Sequence, residues 1–374
     1  MKIALLGTTA QVSLNFRKPV IDKLRQNGHE VFLLCNDYNT DTRAQAKKLG
    51  VQPIDSPLTR SSLNPISAIR ETRHLCKIFK DIKPEVVFSF FSKPAIFGTL
   101  AAHHAKVPKI MAMLEGLGYY FTERNKKTTI KDKFIKATQV FLYRFSFKKL
   151  NHLILLNTAD YIDLIETYKI NPKRTTILGG IGVDFSNFYY TPINHHYINF
   201  LFVGRLLYDK GIREFTEAAK NIKKDFPKTY FTVIGDVDPQ NPASLSLDEK
   251  KTLEDKGVVS FKGYTQNIKQ ELIDSSVFVL PSYREGMPLS TQEAMAVGRA
   301  VITTTTPGCF NTVQEGRTGF LIPPFSSEAL EKKMRYFIMN KHKIKELGYN
   351  AHVFAKKHFN ANKQSATLCT WITE

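Results

Sequence analysis

The residues best placed to do chemistry lie in the second half of the chain. A strand-like run, Phe200-Leu201-Phe202-Val203, is followed by Gly204-Arg205-Leu206-Leu207-Tyr208-Asp209-Lys210-Gly211 and then by a helical pattern. Two cations at one strand-to-helix turn can converge on a single diphosphate, the arginine by a bidentate fork and the lysine as a mobile point charge. Alone, such a pair reads more simply as two solvated surface charges. The segment Leu280-Pro281-Ser282-Tyr283-Arg284-Glu285-Gly286-Met287-Pro288-Leu289-Ser290 is harder to set aside. A buried strand delivers Glu285, Gly286 lets a ligand approach the backbone, and a helix opens near Pro288 or Leu289 with its first N–H groups facing an anion. Glu293 lies one turn into that helix. Two carboxylates placed across a strand–loop–helix turn suit the hydroxyls of a sugar and a ribose, although an exposed helix charge is the usual fate of glutamate.

These turns need a parallel sheet to position them, and the pattern supplies two. Lys2–Leu6, Val31–Cys35, Val51–Ile54, Val86–Phe91, Lys109–Leu114, Leu153–Leu156 and Thr175–Leu178 read as strands of a first half. Helical stretches lie between most of them, including 15–27, 65–82 and 158–168. After a polar stretch, Tyr190 to His196, the alternation restarts with Asn199–Val203, Tyr230–Ile234, Val258–Phe261, Val277–Leu280, Ala300–Thr303 and Phe320–Ile322. Strand–helix alternation of this kind builds a doubly wound α/β sheet. The expected domains are 1–190 and 191–355, with 356–374 as a final helix able to cross back to the first. In such sheets ligands sit at the carboxyl ends of the strands. Gly7-Thr8-Thr9-Ala10-Gln11 is a second turn of this type, leading into a helix near Asn15. It lacks the GxGxxG fingerprint of dinucleotide oxidoreductases, and a structural turn and a ligand contact stay equally open.

At 374 residues, 43% apolar and 23% charged, the chain is globular and long enough for two cores. No stretch reaches the ~18 uncharged apolar residues of a spanning helix, and the N-terminus reads as a first strand, not a signal peptide. Cys35, Cys76, Cys309 and Cys369 form no metal-binding spacing and are expected as free thiols in a reducing cytoplasm. Net charge is +19, and residues 1–190 carry 29 Lys/Arg against 15 Asp/Glu. That excess points to an anionic partner on the first half, a membrane surface, a diphosphate or a nucleic acid. No nucleic-acid module accompanies it, and no feature fixes an oligomeric state.

Together, Glu285-x7-Glu293, the Arg205/Lys210 pair and the Gly298-Arg299-Ala300-Val301 turn resemble the retaining glycosyltransferases of the large family numbered four, and the resemblance covers essentially the whole chain. It implies a GT-B fold, two Rossmann-like domains facing an interdomain cleft. It also implies that Arg205 and Lys210 hold the donor diphosphate, Glu285 the transferred sugar and Glu293 the ribose, with amides from Gly286 through Met287, Pro288 and Leu289 to Ser290 in support. Gly7 would close over the reaction centre. Leu63-Asn64-Pro65, Glu115-Gly116-Leu117-Gly118 and Asp238-x-x-Asn241-Pro242 further resemble enzymes that extend polyprenyl-diphosphate-linked saccharides, bacterial α-1,3-N-acetylgalactosaminyltransferases among them. The reaction this resemblance implies is transfer from a UDP-sugar, best a HexNAc, to an undecaprenyl-diphosphate-linked saccharide in glycan, O-antigen or capsule assembly. A UDP-sugar epimerase of the same fold, a non-catalytic binding module, and a transferase with a soluble or protein acceptor are the competing readings.

Many family members carry His-Gly where this chain has Glu115-Gly116. A carboxylate beside the acceptor can orient or deprotonate a hydroxyl; the plainer reading is a loop glutamate capping backbone amides. Residues 126–150, starting at Lys126, hold eight Lys/Arg and one acid, Asp132. Lys131, Lys133, Lys136 and Arg144 interleave with Ile130, Phe134, Phe141 and Phe145 at helical spacing. A basic helix with an aromatic stripe suits an anionic membrane surface, here the inner face of the cytoplasmic membrane; a core-facing stripe is the alternative. Asp236-Val237-Asp238 resembles a metal-binding DxD, but it lies away from the Glu285 turn, and the cation pair already neutralises a diphosphate. No metal and no cofactor is therefore expected.

Overall fold

The computed structural model describes residues 1–59, 64–125 and 128–374. Leu63 of the Leu-Asn-Pro motif, and Lys126 at the start of the basic stretch, lie outside the described residues.

The apolar runs become strands because helices cover them on both faces. β1 (Lys2–Leu6), β2 (Glu30–Cys35), β3 (Gln52–Asp55), β4 (Val86–Phe90), β5 (Lys109–Leu114), β6 (His152–Leu155) and β7 (Thr175–Ile177) form one parallel sheet ordered β3-β2-β1-β4-β5-β6-β7. Ile3, Ala4, Leu5 and Leu6 are all fully buried, the near-continuous apolar run that a two-sided sheet demands. A second parallel sheet is ordered β10-β9-β8-β11-β12-β13. It is built from β8 (Asn199–Val203), β9 (Tyr230–Ile234), β10 (Ser260–Phe261), β11 (Val277–Leu280), β12 (Ala300–Thr304) and β13 (Gly319–Ile322).

The chain forms two compact units, one of residues 1–117, 128–181 and 361–374, the other of 118–127 and 182–360. The last three helices, Ser327–Met339, Lys341–His358 and Ala361–Thr373, follow β13, and the final one packs against Ala10–Gln26 in the first unit.

Two local expectations are corrected. The first helix begins at Ala10, five residues ahead of Asn15. The cause is remote in sequence: the Ala10 N–H donates to Asp37 Oδ1 at 2.6 Å, so a carboxylate from the loop after β2 caps the helix. The stretch 158–168 is not one α-helix. Thr158–Tyr161 is α-helical, and the chain then widens through Ile162–Glu166, where the Thr167 N–H reaches back to Ile162 O at 2.9 Å.

Candidate active site

In the second unit β8 leads to β9 on one side while β11 pairs with β8 on the other. Neighbouring strands whose connections depart in opposite directions leave a crevice at their carboxyl ends. The turns that leave this point are the two singled out in the sequence. Lys210 ends a tight turn, Tyr208–Lys210, ahead of helix Ile212–Asp225. Its Nζ donates to Glu285 Oε1, and Ser282 Oγ donates to the same oxygen at 2.6 Å. Arg205 does not join them. Its Nη1 pairs with Asp238 Oδ2 at 2.6 Å, with Arg205 48% exposed and Asp238 nearly buried. Asp236 faces Lys250 at 3.0 Å. Both acids of the DxD-like run therefore face cations. Asp209, beside Lys210, is pushed up to about 6 by burial; nothing in the sequence pattern marks it out.

Backbone packing around Glu285 is tight, and residues not foreseen from sequence hold it there. The Glu285 N–H donates to Pro307 O at 3.0 Å. Thr304 and Thr306 hydroxyls donate to Ser282 O at 2.5 and 2.9 Å, and Thr303 to Leu280 O at 2.7 Å. The threonines that end β12 and follow it thus anchor the end of β11. Gly308 has φ +77, and a Cβ there would stand 2.2 Å from Glu285 O. Gly308→Ala must displace the Glu285 backbone. Because misplacement by about 1 Å can cost about 100-fold in rate, we expect at least a tenfold loss of kcat in a folded variant. Wild-type turnover with an unshifted Tm would show that the loop yields without consequence.

Helix Leu289–Ala296 follows Pro288 at its N-cap, with no side chain capping its first amides among the described residues, so those at Leu289 and Ser290 face outward from the helix end. Met287 is buried, and Gln292, wholly buried, donates to Met287 O at 3.1 Å and accepts from the Gly182 N–H at 3.2 Å. Gly286 links this helix start to Glu285. Glu293 has no ion pair among the described residues, and burial pushes its carboxyl up to about 8. A raised carboxyl stabilises the fold below its unfolded value of 4.5, and that contribution is lost as pH climbs towards 8. The ribose hydroxyls that the resemblance implies for Glu293 donate more strongly to the ionised form, so on that expectation ligand affinity should rise with pH up to about 8, with proton release on binding. Calorimetry in buffers of different ionisation enthalpy reads this directly, and a pH-independent affinity for UDP would remove Glu293 from the ribose.

The first unit adds a separate cluster. Gly7 donates to Leu34 O at 3.0 Å, and a Cβ there would lie 2.3 Å from buried Ser13 Oγ, so any side chain at this position must displace that hydroxyl. Glu115 and Gly116 follow β5, and Glu115 pairs with Arg17, a partner not foreseen from sequence. On helix Ile130–Phe147 the buried residues are Val140, Tyr143, Ser146 and Phe147. Ile130, Phe134, Phe141 and Phe145 are 88, 72, 64 and 55% exposed, which rules out the core-facing stripe. Lys131, Lys133 and Arg144 are exposed beside them; Lys136 is half-buried, its Nζ 5.7 Å from the Tyr168 ring, and Arg144 donates to Tyr168 O at 2.7 Å. No helix of the described residues is long and apolar enough to cross a membrane.

Comparison with known proteins gives this arrangement a context. Residues 188–354 match the model of glycosyl transferases group 1, and residues 2–157 that of glycosyl transferase 4-like proteins. The chain is 26% identical, over 94% of its length and 93% of the relative's, to N,N'-diacetylbacillosaminyl-diphospho-undecaprenol alpha-1,3-N-acetylgalactosaminyltransferase of Campylobacter jejuni. It is 29% identical, over 69% of its length and 68% of the relative's, to UDP-Gal:alpha-D-GlcNAc-diphosphoundecaprenol alpha-1,3-galactosyltransferase of Escherichia coli. Its fold matches that of HepE from Anabaena, solved in complex with UDP, with a TM-score of 0.77 at 15% identity and full coverage of both chains. With family models on both halves, relatives that are transferases along most of their length, and paired parallel sheets of this order, the chain is a glycosyltransferase of the group 1 and 4-like type with the GT-B fold.

Proposed function

We propose that this glycosyltransferase moves a sugar, best an N-acetylhexosamine such as GalNAc, from its UDP donor to an undecaprenyl-diphosphate-linked saccharide, with retention at the anomeric carbon. The carrying observation is the Lys210–Glu285–Ser282 cluster at the β8/β11 crevice with the desolvated Glu293 one turn along the next helix. In this reading Lys210 and Arg205 exchange their resident carboxylates for the donor diphosphate, and the amides at Leu289 and Ser290 add positive potential. The bond from C1 to the diphosphate breaks, the bond from C1 to the acceptor oxygen forms, and the hydroxyl proton leaves with UDP. Charge on the leaving group is met by groups already in place, the term that usually dominates such catalysis. No metal or cofactor is assigned to the step. The names of the Campylobacter and Escherichia relatives, both acting on undecaprenyl-diphosphate sugars, support the acceptor class.

UDP release should depend on both a UDP-sugar and a lipid-diphosphate saccharide when donors and short acceptors are screened together. Product formed from donor alone would favour an epimerase, and equal turnover with free saccharides would remove the lipid acceptor.

The exposed apolar stripe of helix Ile130–Phe147, flanked by basic residues, supports peripheral attachment to the anionic inner face of the cytoplasmic membrane. Each cation near such a surface contributes about 1 kcal/mol. Reversing charge at Lys131, Lys133, Lys136 and Arg144 should abolish pelleting with vesicles rich in anionic lipid while UDP release from a water-soluble acceptor analogue persists. Unchanged pelleting would move the attachment elsewhere.

A further inference from the structure

Two costly features coincide at the ends of β4 and β5. Arg17, on helix Ala10–Gln26, is only 1% exposed. Its guanidinium is ion-paired with the Glu115 carboxylate and lies 4.1 Å from the Phe90 ring and 5.9 Å from that of Phe91. Phe91 itself has φ 70 and ψ 165, a conformation close to glycine's private territory. A buried ion pair commonly contributes less stability than well-packed apolar side chains of the same volume. Packing of the helix onto the sheet would be served as well by leucine at position 17. Packing therefore gives no reason for the buried pair, and it lies beside a strained residue at strand carboxyl ends, where α/β proteins hold ligands.

The chemistry of the pair limits what Glu115 can do. A general base must end the step protonated. Protonating Glu115 would leave the Arg17 charge in the interior with no other acid against it among the described residues. A stranded buried charge costs several kcal/mol. Lys93, the cation in the first turn of the helix after β4, is committed to Glu71 at 3.0 Å and would not take over Arg17's part. Burial moves Arg17 down to about 9, still leaving it charged near neutral pH. An ionised carboxylate offers about four lone-pair sites, so lone pairs are left for a ligand.

Resting on the transferase reading above, we infer that Arg17 is a positioning residue that holds Glu115 as a fixed, ionised hydrogen-bond acceptor for a hydroxyl or amide N–H of the acceptor saccharide. Glu115 on this account orients the acceptor and abstracts no proton.

The test uses the full chain, with Arg17→Met, Arg17→Lys, Glu115→Gln and the Met/Gln double variant. Acceptor-dependent UDP release is followed from pH 5.5 to 9 with donor saturating at every pH, so that the pH dependence of donor binding through Glu293 drops out, beside UDP binding and thermal unfolding. Glu115→Gln should raise the acceptor KM about tenfold, the loss of roughly one hydrogen bond, with UDP affinity unchanged. Arg17→Met should acquire an acid limb that wild type lacks, because an unpaired desolvated carboxylate takes up a proton nearer neutrality. Arg17→Lys should restore the flat profile, and the double variant should lose the limb. A wild-type acid limb that disappears in Glu115→Gln would make Glu115 the base and overturn the inference. So would an Arg17→Met enzyme that differs from wild type in Tm alone. Wild-type protein that binds UDP but releases none with any acceptor would overturn the transferase reading, and the inference with it.

Discussion

Lys210→Ala is expected to lower kcat/KM for the donor by about a thousandfold, and Arg205→Ala by only ten- to a hundredfold. Loss of one well-placed group that stabilises developing charge costs about 100- to 1000-fold, and the geometry separates the two cations within that scale. Lys210 is 20% exposed and its partner Glu285 11%, so its charge acts where water screens little. Arg205 is 48% exposed, and solvent discounts its pairing with Asp238. Lys210 also fixes the same carboxylate oxygen that Ser282 holds at 2.6 Å, so its loss loosens Glu285 as well as the proposed diphosphate site. Glu285→Gln separates these effects by keeping the shape of the side chain while removing its charge. Steady-state UDP release with saturating acceptor is the measurement. The reverse order, with Arg205→Ala the more damaging, would place the diphosphate at the Asp238 end of the turn.

Legibility in the sequence tracks the range of the interactions. β8, β9 and β11 stand at the residues the apolar runs indicate, because burial on both faces imposes a run that needs no distant information. Helix Pro65–Ile82 is equally legible: Asn64 accepts from Ile66 N at 2.9 Å and Pro65 fits the first turn, both local signals. Lys210 and Glu285 can be singled out by type and spacing, and they meet in the structure. The illegible features come from partners far along the chain. The cap at Ala10 belongs to Asp37, Arg17 meets Glu115 across most of the first unit's sequence, and Gly308 touches Glu285 through the turn after β12. Proximity in sequence groups Arg205 with Lys210, yet Asp238 claims it. An arginine in an amphipathic helix gives no sign that its guanidinium is the buried end, since its aliphatic stem suits a helix face either way.

Arg299 shows the same limit from the other side: it stands in the family-like Gly298-Arg299-Ala300-Val301 turn, but its surroundings make it structural. It is wholly buried, with no carboxylate in ion-pair contact among the described residues, and burial moves it down to about 10. Nε donates to Leu272 O at 2.9 Å, and Nη2 to Ile273 O at 3.0 Å. Nη1 donates to Thr191 O, Val297 O and Gly298 O at 2.9, 3.2 and 3.1 Å. One guanidinium thereby satisfies carbonyls from three separate segments of the second unit. Leucine at this position fills much of the volume but donates nothing, and each buried carbonyl left unpaired costs about 1–3 kcal/mol. Since neighbouring losses do not add fully, Arg299→Leu should destabilise the protein by more than about 4 kcal/mol, at the extreme of single substitutions. Arg299→Lys, with three donors and no fork, should fall between. Urea unfolding followed by circular dichroism reads the order, and a loss under about 1 kcal/mol for Arg299→Leu would mean that water or relaxation replaces the guanidinium. The contrast with Lys210→Ala is the sharper check. Lys210→Ala should lose turnover in protein that is still folded, whereas whatever Arg299→Leu protein remains folded should turn over at the wild-type rate per active molecule.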